Sequence, residues 1–140
     1  MNRKRILIVM SAGSGGRMGA TVPKQFLDLG GVPILRRTIE AFISVVPDIK
    51  VVTVLPGDYI AFWKDYCLVS DFNCPQTLVP GGFTRFHSVR NALKKVPDGA
   101  VVAIHDGVRP LLSPKLIGNM FERMDSGGVR ALIPVIPSDR

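Results

Sequence analysis

The stretch of this sequence best suited to chemistry is Ser11-Ala12-Gly13-Ser14-Gly15-Gly16-Arg17-Met18-Gly19, followed shortly by Pro23-Lys24-Gln25-Phe26. Small residues at the end of a first strand let backbone N–H groups come close to phosphate oxygens, and those groups carry partial positive charge. The loop also holds two cations, Arg17 and Lys24. A loop that only grips a cofactor pyrophosphate has less need of them. A loop that counters charge developing on a phosphate under attack has good reason to keep them. Counting excludes two familiar phosphate loops. The dinucleotide pattern started at Gly13 requires glycine where Met18 stands, and no Gly-Lys-Ser/Thr run exists for the Walker pattern. Taken alone, the segment also fits a plain strand-to-helix connection with solvated cations.

Two later stretches add functional groups. Gly81-Gly82-Phe83-Thr84-Arg85-Phe86-His87-Ser88-Val89 couples a double glycine to a helix start, and Ile104-His105-Asp106-Gly107-Val108-Arg109-Pro110 ends a strand in charge. A carboxylate at the carboxyl end of a strand, as expected for Asp106, lies on the ligand edge of an open α/β sheet. Its plainer role is capping the next turn. Arg109 either shapes that turn with Pro110 or reaches for a phosphate, the preferred use of its guanidinium. His105 beside Asp106 is poor metal-ligand geometry. His87 beside Ser88 has no acid partner in view, which argues against a catalytic Ser-His pair. Tyr59, Phe62, Trp63 and Tyr66 have helix-like spacing and are read as packing against the sheet or its edge.

These groups need elements to position them, and apolar runs of strand length alternate with segments of helical period. Strands are expected over 6–10, 51–55, 77–79, 100–104 and 130–136. Helices are expected over 33–46, within 58–68, over 85–95 and from 114 to about 124. Ile34, Leu35, Ile39, Phe42 and Ile43 form the inner face of the first helix. Ser113 is the expected N-cap of the last, with Pro114 at its first position. Such alternation argues for a mostly parallel sheet with helices on both faces. There is no internal repeat or low-complexity segment.

The bulk numbers agree with one folded α/β unit. The 140 residues are 46% hydrophobic and 21% charged, which excludes a mainly disordered chain. The apolar runs are far too short to span a bilayer. Arg3, Lys4 and Arg5 precede only five apolar residues, too few for a signal peptide, so a cytoplasmic protein is expected. Cys67 and Cys74 have no zinc spacing and are read as reduced thiols. The net charge of +7 points to a polyanionic partner. Its basic residues are spread along the chain, so nucleic acid is ranked last and a phosphate-rich small molecule fits. The sequence stops at Ser138-Asp139-Arg140 directly after an expected strand, so the natural protein is expected to continue.

Together, the first loop with Pro-Lys-Gln-Phe-Leu, the block from Gly81 and the block from Ile104 closely resemble, in order and spacing, the 2-C-methyl-D-erythritol 4-phosphate cytidylyltransferases. The resemblance covers all 140 residues, but only the N-terminal portion of a typical member. It implies a three-layer α/β/α, Rossmann-like nucleotidyltransferase fold with a mostly parallel sheet, truncated at its C-terminus. Residues 1–140 would be the nucleotide-binding part of a single domain, without the later substrate-binding residues and the dimerisation arm.

By this resemblance Ser11, Ala12, Gly13 and Gly15 would line the CTP site with backbone groups, and Gly82, Phe83 and Ser88 would contact cytosine. Arg17 and Lys24 would hold the triphosphate and stabilise the transition state at its α-phosphorus. Asp106 and Arg109 would face the polyol phosphate or the metal-nucleotide. The metal ligands stay open, with Asp106 one candidate. The family uses Mg²⁺, works as a homodimer and serves the non-mevalonate isoprenoid pathway. The attacking group would be an already ionised phosphate oxygen, so no general base is needed. Three positions depart from the common pattern. Ser11 stands where many members have alanine, Phe83 where a polar or acidic residue is frequent, and Gly107-Val108 where Ala-Ala is frequent. With Phe83, base selection would fall to the main chain. Ribitol-5-phosphate cytidylyltransferase shares the first block and is the nearest alternative. A non-catalytic nucleotide-binding domain of the same fold is the alternative from another class.

Overall fold

The computed structural model describes residues 4–12, 24–107 and 113–125. The strands are β1 (Arg5–Met10), β2 (Asp28–Leu29), β3 (Val32–Pro33), β4 (Lys50–Leu55), β5 (Gln76–Pro80) and β6 (Val101–Asp106). The helices are α1 (Ile34–Val45), α2 (Ile60–Val69), α3 (Arg85–Leu93) and α4 (Pro114–Asp125). The main sheet has the order β5-β4-β1-β6, with every neighbouring pair parallel. The strand expected over 130–136 lies outside the described residues.

The unbroken apolar runs of β1 and β4 follow from their central places, because a strand covered on both faces has no polar side to show. Side chains alternate across the sheet. Leu7, Val9, Val51, Val101 and Ala103 pack with Leu35, Ile39 and Phe42 of α1, Trp63 of α2, and Ile117 and Phe121 of α4. Ile6, Ile8, Met10, Val52, Val54 and Val79 point the other way, toward Val89 and Ala92 of α3. Helices therefore cover both faces. Among the described residues no helix is long and apolar enough to cross a membrane.

The order also fixes where a ligand can sit. The chain adds β4 and then β5 on one side of β1, and α3 then carries it back to lay β6 on the other side. Open α/β sheets bind ligands at the carboxyl ends of strands where the order doubles back. Here that place lies above β1.

The structure differs from the expected elements near Pro33, which is extended (φ −56°, ψ 143°) and pairs with Asp28 instead of opening the helix. The cause is a hairpin turning on Gly30 and Gly31, whose φ values of 66° and 86° suit the tight turn that joins β2 to β3. On α1 the buried row is Leu35, Thr38, Ile39 and Phe42, so Thr38 takes a place expected for Ile34 or Ile43. A single turn of 3-10 helix, Gly57–Tyr59, leads into α2, and α3 ends at Leu93, two residues before the expected limit. The Ser113 cap is present, with Leu116 N donating to Ser113 Oγ at 3.2 Å.

Candidate functional site

Three segments meet above β1. The chain leaving β1 enters Ser11 and Ala12, the chain leaving β5 enters Gly81 and Gly82, and the chain leaving β6 passes Asp106 to Gly107. Backbone hydrogen bonds continue the sheet into each of them: Ser11 N donates to Val54 O (2.8 Å), Gly81 N to Leu55 O (2.8 Å) and Gly107 N to Met10 O (2.9 Å).

Contact between the first two segments depends on small residues. A methyl group placed on Gly81 would overlap the Ala12 side chain and lie 3.3 Å from Ser88 Oγ. One on Gly82 would press on the His87 side chain. On the other flank, a methyl on Gly107 would overlap Ser11 Oγ and stand 3.1 Å from Leu35 Cδ1. Glycine at 81 and 107 is thus a packing requirement where these segments meet, and at 82 where the turn meets α3. Thr38 of α1 closes that flank from below, its hydroxyl 3.3 Å from the Gly107 carbonyl oxygen.

Ser11 is buried, its carbonyl accepts from Gln25 Nε2, and its hydroxyl has no hydrogen-bond partner among the described residues. Ser88 is also buried, and its Oγ accepts from Gly82 N at 3.0 Å, which pins the double-glycine turn onto α3. Phe83, between them in the chain, is fully exposed, with a relative accessibility of 103%. Thr84 caps α3: its Oγ1 accepts from His87 N at 3.1 Å and lies 3.0 Å from His87 Nδ1. At the end of β6, Asp106 Oδ1 accepts from Arg85 Nη1 at 2.9 Å. His105 points away from this edge, buried against the Phe42 ring at 5.5 Å. Among the described residues no cluster of three His, Cys, Asp or Glu side chains could hold a metal ion by itself.

Lys24 opens a 3-10 turn, Lys24–Phe26, whose next two residues are its anchors. Gln25 is buried and bonded to the Ser11 carbonyl, and Phe26 is buried between Tyr59, Phe62 and Trp63, with ring centroids 5.1–6.0 Å away. The backbone at Lys24 is thereby tied to the end of β1 and to α2. Gly13, Gly15, Arg17 and Arg109 lie outside the described residues. Among the described residues the structure brings Ser11, Ala12, Gly82, Phe83, Ser88 and Asp106 to one edge of the sheet.

Gln25, Thr84 and Arg85 are site-building residues that sequence reasoning passed over. The signal for Thr84 was a hydroxyl residue directly before a helical run. Gln25 sat in plain view between Lys24 and Phe26. Nothing local marked Arg85 as the partner of a residue 21 positions away.

The cysteines lie elsewhere, Cys67 on α2 and Cys74 just before β5, both half-buried, and burial lifts both thiols. Cys74 is pushed up to about 11, by burial first and by its neighbour Cys67 second. Both stay protonated near neutrality and are weak nucleophiles.

Comparison with known proteins agrees with this geometry. Residues 5–139 match the family profile for 2-C-methyl-D-erythritol 4-phosphate cytidylyltransferase. The protein of that name from Porphyromonas gingivalis is 47% identical over 131 residues, covering 94% of this chain and 58% of its own length. Its namesake from Phocaeicola vulgatus is 43% identical over 136 residues, covering 97% and 60%. The crystal structure of 4-diphosphocytidyl-2C-methyl-D-erythritol synthase from Anaerococcus prevotii superposes with a TM-score of 0.68 at 28% identity, over 87% of this chain and 51% of that one. This chain therefore spans less than two thirds of the length of these relatives. With a doubly covered parallel sheet, three small-residue segments converging above β1 and a match over nearly every residue, the chain belongs to the 2-C-methyl-D-erythritol 4-phosphate cytidylyltransferase family.

Proposed function

We propose that the protein containing this chain joins CTP to 2-C-methyl-D-erythritol 4-phosphate, releasing pyrophosphate and forming 4-diphosphocytidyl-2-C-methyl-D-erythritol. A phosphate oxygen of the acceptor attacks the α-phosphorus of CTP. The new P–O bond forms as the bond to the β-phosphate oxygen breaks, and the leaving pyrophosphate takes that electron pair. The observation that carries this reading is the convergence of Ala12, Gly81 and Ser88 at the end of β1, with Asp106 on the opposite flank.

In this arrangement the segment around Gly82 and Phe83 faces the cytosine, and Ser88 acts by holding the Gly82 amide. Ser11, Ala12, Gly13 and Gly15 shape the cradle for the triphosphate, while Arg17 and Lys24 offset its charge as the α-phosphorus is attacked. The buried Gln25 and Phe26 support Lys24 in that task. Asp106 and Arg109 serve the acceptor phosphate or the metal-bound nucleotide. No side chain need remove a proton, since the attacking oxygen is already ionised near neutral pH.

The residues present suit a magnesium ion carried in largely by the nucleotide. Mg²⁺ in such sites takes one or two carboxylates and the substrate's own phosphates, and Asp106 is a partly exposed carboxylate at the ligand edge. When bound, the ion supplies charge neutralisation for the triphosphate. A cytoplasmic homodimer is proposed for the complete protein.

The test is pyrophosphate release by the complete protein. CTP with 2-C-methyl-D-erythritol 4-phosphate and Mg²⁺ should give turnover well above that with UTP, GTP or ATP. Turnover with ribitol 5-phosphate alone would move the protein to the polyol alternative. Tight CTP binding with no turnover on either acceptor would mark a nucleotide-sensing domain and overturn the proposal.

A further inference from the structure

We propose that Arg85 is a positioning residue for Asp106, a role that rests on the function proposed above. Arg85 opens α3, just past the double glycine that follows β5, while Asp106 ends β6. Those two strands stand three places apart in the sheet, with β4 and β1 between them. At about 4.8 Å per place the flanks are separated by roughly 14 Å. The 2.9 Å bond from Arg85 Nη1 to Asp106 Oδ1 links residues attached to those two strands. It ties the proposed base-facing flank to the proposed acceptor-facing flank.

The energetics give this bond little to do for the fold. The Arg85 and Asp106 side chains are 61% and 34% exposed. Ion pairs this open to water contribute little stability and weaken further with salt. Their chemistry gives the bond another use. A carboxylate beside a triphosphate and an acceptor phosphate repels both. A guanidinium on one carboxylate oxygen offsets that charge and fixes the direction in which the group is presented. Arg85 thus acts on the reaction through Asp106.

A double-mutant cycle in the complete enzyme tests this, with pyrophosphate release measured against CTP and acceptor concentration. Arg85→Ala is expected to lower kcat about 10- to 100-fold, the scale for losing a partner that orients a functional group. The KM for CTP should change less than about threefold, and Arg85→Lys should recover part of the loss, because it keeps the charge. The thermal midpoint should stay near that of the native enzyme. In the Asp106→Ala background, Arg85→Ala should cost nothing further. Losses that multiply in the double variant would show that Arg85 acts independently, and would overturn this proposal while leaving the proposed function standing. Should Arg85→Ala fail to fold, Arg85→Gln serves in the same cycle. A native enzyme inactive with every polyol phosphate would remove both proposals together.

Discussion

Above β1, Ala12, Gly81 and Ser88 meet through small atoms, and the polar groups around them are largely tied to one another. Around Trp63, by contrast, the rings of Phe26, Tyr66 and Phe72 pack near the indole, and Tyr59 and Phe62 lie against Phe26. The Trp63 indole is fully buried and donates to Gln76 Oε1 at 2.9 Å, so even its polar atom is satisfied. One region is held by close backbone approach through small residues. The other is held by buried aromatic area. Phe26 belongs to the second region, and Gln25 beside it bonds the Ser11 carbonyl in the first, so the aromatic corner helps to anchor the backbone at Lys24. Substitutions in the corner should cost stability, and those at the edge should cost turnover.

Truncating the corner should have the largest effect. Trp63→Ala is expected to lose about 3–5 kcal/mol of unfolding free energy in urea, the usual range for removing a buried large aromatic. Turnover per folded molecule should change far less. A stability loss under about 1 kcal/mol would mean that the corner does not support the fold as described.

Removing the cations of the loop should reverse that pattern. Arg17→Ala or Lys24→Ala is expected to lower turnover roughly 10²–10³-fold, the scale of losing one preorganised stabiliser. Neither should move the unfolding free energy by more than about 0.5 kcal/mol. A loss below about threefold for both would end their assigned role.

The smallest expected effect concerns pH and belongs to the corner alone. The folded chain holds Cys74 protonated up to about 11, against an ordinary value of 9.0. Between those values an unfolded chain loses the proton more readily than the folded one, so stability should fall as pH rises through that window. Below pH 9 this group contributes no slope. Cys74→Ser should flatten the alkaline decline, and an unchanged decline would assign it to other groups.

The elements legible in the sequence were those with a single strong pattern. β1 and β4 are central strands and read as unbroken apolar runs, and α1 carries helical periodicity along its buried face. The β2–β3 hairpin escaped notice because two-residue strands have no period to detect, and only Gly30-Gly31 marked it. Pro33 is acceptable both at a helix start and in an edge strand, and the hairpin decided between them. Candidate site residues were visible where residue type and strand end coincided, as at Ser11 and Asp106. Partners far apart in the chain were not. The pairing of Arg85 with Asp106, and the fit of Gly107 against Ser11, exist only once β6 lies beside β1.

The most direct test of the central claim is hydrogen–deuterium exchange of the complete protein with and without CTP and Mg²⁺. The expected result is slower exchange at residues 81–89 and 104–107, with residues 60–74 of the aromatic corner unchanged. Protection confined to the corner, or absent from both edge segments while CTP is bound, would contradict a nucleotide site above β1.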